Sequence, residues 1–89
     1  MKRRDWRWQG GDELHLREAG AVVAICRNVR LSFDKPAAYK VWRLYDSAGK
    51  PVVMPGGSRV SAPGKRGIQQ AAQAFVDKIA RMANEAPHE

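Results

Sequence analysis

In YKVWRLYD, residues 39 to 46, an extended backbone puts Tyr39, Arg43 and Tyr45 on the side opposite Trp42 and Leu44. Rings set among cations give nucleobases something to stack on while guanidinium groups follow the phosphates, and each stacked base contributes roughly 1 to 3 kcal/mol. KRRDWRWQ, residues 2 to 9, offers the same pairing of chemistries, with Lys2, Arg3, Arg4 and Arg7 interleaved with Trp6 and Trp8. PGGSRVSAPGKRG, residues 55 to 67, adds Arg59, Lys65 and Arg66 to a loop rich in glycine. Lys65 and Arg66 fall just ahead of a helical pattern, where cations cost a few tenths of a kcal/mol each and an anion is favoured, so a phosphate there would neutralise both. Alternatively the helix starts at Gly67 or Ile68 and the pair belongs to a solvated loop; Ser61 could cap an earlier start.

Other chemistries fit poorly. A Walker A loop needs four residues between its glycines and a hydroxyl after the lysine, whereas six separate Gly57 from Gly64 and Arg66 stands at the hydroxyl position. His15 and His88 have no Cys, Asp or Glu at metal-ligand spacing, so no metal and no cofactor is expected. Cys26 lies in the apolar run AVVAIC and reads as a small buried hydrophobe. No hydrolase elbow or paired-carboxylate pattern is present, and the expectation is a protein that is not an enzyme.

The elements that must position these groups follow from periodicity. ELHLRE, 13 to 18, alternates with Leu14 and Leu16 on one side and His15 and Arg17 on the other. Ala19-Gly20 is a turn, and AVVAICR, 21 to 27, is apolar on both faces apart from Arg27, which gives a first hairpin. Residues 28 to 38 read as a connector with possible extended pairing, because VRLSF alternates while Asn28 and Asp34-Lys35-Pro36 are loop signals. A second hairpin joins 39 to 46 to PVVM at 51 to 54 through Ser47-Ala48-Gly49-Lys50; the competing reading makes 34 to 46 a helix. From Ile68 onward, Ile68, Ala72, Phe75, Ile79 and Met82 form one apolar stripe of a helix, Asp77 and Arg81 are spaced as an i to i+4 ion pair on its polar side, and Pro87 ends it.

The expected fold is therefore α+β: an antiparallel sheet of three to four strands, in two hairpins, on one C-terminal helix. Residues 1–12 form a basic arm or edge strand, 13–86 one small domain, and 87–89 a frayed tail. Burying Arg43 unpaired would cost several kcal/mol, so Trp42 and Leu44 must face the helix. Tyr39, Val41, Arg43 and Tyr45, joined by His15 and Arg17, then occupy the far side.

Sixteen Lys and Arg against nine Asp and Glu leave a charge of +7, which favours polyanions; the same charge could be a solvated surface. No run is apolar enough to span a bilayer or to open a secretory signal, and a lone cysteine suits a reducing cytoplasm. In element order alone, a curved antiparallel sheet followed by a helix is similar to small DNA-binding modules of the integrase-arm and Whirly types, and no site residue transfers from that similarity. The expected function is nucleic-acid binding by Lys2, Arg3, Arg4, Arg7, Arg17, Tyr39, Arg43, Tyr45, Arg59, Lys65 and Arg66. The alternative is a protein-interaction module docking on an acidic partner, and a homodimer is a second way to cover the far face.

Overall fold

Ala19 and Gly20 close the first hairpin with φ of 53° and 86°, the left-handed pair that a two-residue turn needs to match the twist of its strands. That turn joins β2 (Glu13–Glu18) to β3 (Ala21–Arg30) in a computed structural model that describes residues 3–30 and 40–84. β1 (Arg4–Trp8) pairs antiparallel with β2, β4 (Lys40–Asp46) with β3, and the short β5 (Ser61–Ala62) with β4. The sheet is thus an antiparallel meander of five strands in chain order, rather than three to four. The fifth strand comes from within the glycine-rich stretch read as a loop, which supplies β5, while residues 4–8 of the segment read as an arm or edge strand pair along an edge.

PVVM does not form a continuous strand. Asp46 Oδ1 accepts from the Ala48 and Lys50 amides at 2.9 Å, which fixes the turn, and the chain then pairs with β4 at the Tyr45–Pro51 bridge, with the Asp46 amide bonded to the Lys50 carbonyl and the Val52 amide to the Leu44 carbonyl. Pro51 cannot donate to the ladder, and the Val53–Arg59 bridge turns the chain back within a few residues. The segment 40–46 is a strand, not a helix, because its Trp42 and Leu44 reach the core only with a period of two.

α1 (Lys65–Asn84) packs on one face of the sheet. It starts three residues before Ile68, with the Ile68 amide donating to Gly64 O at 3.2 Å, so Lys65 and Arg66 are in its first turn and Ser61 belongs to β5 instead of capping it. A Cβ on Gly67 would sit 3.1 Å from that of Ala62, which is how α1 comes so close to β5. The core is Leu14, Leu16, Ala24, Cys26, Trp42 and Leu44 from the sheet against Ile68, Ala72 and Val76 from the helix, with Trp6 packed at its edge. The apolar stripe outruns the sheet: Ile79 and Met82 are 50% and 60% exposed. They line a groove of about 450 Å³ with Val52, Val53, Met54 and Phe75. Asp77 does not pair with Arg81; it takes Arg4 Nη2 at 2.6 Å and ties the helix to the edge strand.

Candidate nucleic-acid interface

Register places the far face residue by residue. Arg7, His15, Ile25 and Tyr45 form one row across β1 to β4; Glu13, Arg27, Arg43 and Ser61 form the next, across β2 to β5. Asp5 and Arg17 stand opposite each other beyond the first row, and Val29 and Val41 beyond the second. Arg43 and Tyr45 therefore do face away from the helix, and Arg7 and Arg17 share their side of the sheet. Four guanidiniums meet only Asp5 and Glu13 among the carboxylates of these rows.

The partners of each group define what the face can do. Glu13 is held at the middle: Arg27 Nε donates to its Oε1 at 2.8 Å, and His15 Nε2 lies 2.6 Å from its Oε2. Arg27 first, and His15 second, keep the Glu13 carboxyl below its usual range. The Arg27 guanidinium also lies over the Tyr45 ring at 4.8 Å. Arg17 Nη2 donates to Gly20 O at 2.8 Å, and Arg7 stands 3.8 Å from Asp5. Arg43 differs: its Nε is shut off from solvent and has no hydrogen-bond partner among the described residues. Its cross-strand neighbour on β3 is another cation, Arg27, and that on β5 is Ser61.

Two expectations are corrected by this geometry. Tyr45 is 8% exposed beneath Arg27, so its ring is not open to a base, and the planar group presented above it is the Arg27 guanidinium. Arg4 lies on the helix side of β1, where it bridges Glu18 at 2.8 Å and Asp77 at 2.6 Å; its guanidinium is raised above its ordinary pKa chiefly by the hydrogen bond to Glu18 and then that to Asp77. It holds the edge strand to the helix.

Lys65 also lies on the helix side, with Nζ 5.0 Å from the centre of the Trp8 ring, and Trp8 packs edge to face on Trp42 at 6.1 Å. Arg3, Arg59 and Arg66 are exposed and belong to neither row. Lys2 and Tyr39 lie outside the described residues. The expected set is thus divided by the sheet, with Arg7, Arg17, Arg43 and Tyr45 on the far face.

Arg27 belongs with them and was not among the expected contacts. Its signal in the sequence is that it is the lone charge of AVVAICR, which only the register of β3 can assign to a face.

Cys26 lies on the opposite side of the sheet from His15 and Glu13, and burial pushes its thiol up to about 12. No cluster of three or more potential metal ligands occurs among the described residues, and no described helix is long and apolar enough to cross a membrane. No protein-family model, curated protein or solved structure matches the chain.

Proposed function

We propose that this protein is a small, non-enzymatic nucleic-acid-binding protein that holds the phosphate backbone on the far face of its sheet. The observation that carries the reading is the Arg27–Arg43 pair. Like charges directly opposite in a sheet are destabilising, and an unsatisfied buried donor costs about 1–3 kcal/mol. The like-charge cost falls when an oxyanion bridges the outer nitrogens of the two guanidiniums, which suit phosphate because each offers a planar fork of donors. Arg7 and Arg17 extend the positive charge toward β1.

The shape favours backbone contact over groove reading. A major groove about 12 Å wide admits a two-stranded ribbon, whereas strands about 4.8 Å apart make the β1 to β4 span of this face about 14 Å before side chains are added. With Tyr45 covered, stacking is a minor contribution, and binding is sequence-tolerant and carried by charge. An acidic protein surface could meet the same guanidiniums. Fluorescence anisotropy with a mixed-sequence single strand and its duplex, at two salt concentrations, separates the readings. Affinity that falls steeply with salt, with the single strand at least as tight as the duplex, supports the proposal; nothing tighter than high micromolar at low salt removes it.

A further inference from the structure

We infer that β1 is a self-complementary edge that pairs antiparallel with β1 of a second copy of this chain. The far edge of the sheet is blunted, because β5 is only two residues long. β1 carries five residues and neither proline nor bulge, and no described strand pairs with its outer side.

Its backbone polarity is set by the ladder to β2. The Ala19 amide donates to Arg3 O at 2.9 Å and the Gln9 amide to Glu13 O at 2.8 Å, so the odd residues of β1 bond to β2. Alternation then turns the N–H and C=O groups of Arg4, Trp6 and Trp8 outward. An antiparallel partner must place these residues opposite one another, and the register centred on Trp6 does so: Trp6 faces Trp6, and Arg4 faces Trp8, each pair exchanging two N–H···O bonds.

The same register pairs the intervening residues by charge. Asp5 falls opposite Arg7 of the second copy, and Arg7 opposite its Asp5, at the close non-hydrogen-bonded positions. Both side chains are largely exposed and lie on the far face. A register centred on Asp5 or on Arg7 would also set outward-bonding residues opposite one another, but it would place Asp5 against Asp5 or Arg7 against Arg7 at the close non-hydrogen-bonded position, so charge selects the register centred on Trp6. The two-fold axis runs perpendicular to the sheet, so both helices lie on one side and the two basic faces become one surface.

The inference rests on the edge and not on nucleic-acid binding, and its test uses the protein alone. Sedimentation equilibrium from low micromolar to near-millimolar chain should show a monomer–dimer equilibrium. Arg7→Asp, which sets carboxylates against each other twice across the axis, should weaken it about tenfold or more. The double variant Asp5→Arg, Arg7→Asp should restore it, and circular dichroism checks that each variant folds. Exchange of the Arg4, Trp6 and Trp8 amides should slow as concentration rises. A wild-type chain monomeric throughout, a dimer indifferent to Arg7→Asp or not restored by the double variant, or protection confined to the Ile79–Met82 end of α1 would each overturn the inference.

Discussion

Arg27 and Arg43 stand directly opposite one another on β3 and β4, two cations across a single ladder position. Arg27 is compensated by Glu13 and by the Tyr45 ring, while the Nε of Arg43 is buried without a described partner. The like-charge pair costs stability in the free chain and an anion would relieve it, as the proposed phosphate-binding face requires, which makes stability and binding respond oppositely to one substitution.

Arg43→Leu is that substitution. It removes the like-charge pair and the unsatisfied donor and leaves an apolar side chain beside Val41 on a strand, so the free protein should become more stable by about 1 kcal/mol. Nucleic-acid affinity should fall, with the slope of log affinity against log salt reduced by about one. Urea unfolding and anisotropy titrations on the same preparation check both directions. Loss of stability together with loss of binding would mean that Arg43 is structural.

Glu13 competes with a phosphate for Arg27. Glu13→Gln keeps the shape and removes the charge, so affinity should rise severalfold, an effect seen directly in anisotropy. The carboxyl is held below its ordinary range in the fold, so its contribution to stability is present above about pH 4.3 and is lost as pH falls through the depressed value. Urea midpoints of the wild type should therefore drop between pH 5 and 3 (about the carboxylate range) by more than those of Glu13→Gln.

Cys26 should be inert in the folded chain. Its thiol is fully buried in the core and titrates near 12, so the thiolate that attacks disulfide reagents is absent at neutral pH. Reaction with an aromatic disulfide should proceed only as fast as the protein opens, and should accelerate in urea with the unfolding transition. The raised value also gives stability that is complete below the unfolded thiol's pKa of about 8.5 and declines as pH climbs above it toward 12. Rapid labelling of the native chain would show that the core is open at β3.

Much of this molecule was legible in its residues. The alternation in YKVWRLYD kept Arg43 off the helix side and so fixed which side of β4 meets α1, and Trp42 and Leu44 are indeed in the core, although the far side also closes over the Nε of Arg43. Arg27 was not legible, for a geometric reason. Counting back from the Ala19–Gly20 turn pairs Arg17 with Val22, and that register carried on would place Glu13 opposite Cys26; an irregularity between Leu16 and Arg17 shifts it so that Glu13 meets Arg27. One added residue exchanges the faces of everything beyond it, and a strand apolar on both sides gives no hint that this has happened. β5 was hidden likewise: Ser61 and Ala62 have no strand propensity, and pair only because β4 and the Val52–Val60 contact hold them in place.

The most direct test is backbone amide shift mapping while a short single-stranded oligonucleotide is titrated in. The account predicts that the largest perturbations fall on His15, Arg17, Arg27 and Arg43, that they diminish with added salt, and that Arg43→Leu suppresses them. Shifts confined to the groove between Met54 and Met82, or none on the far face at saturating oligonucleotide, would contradict it.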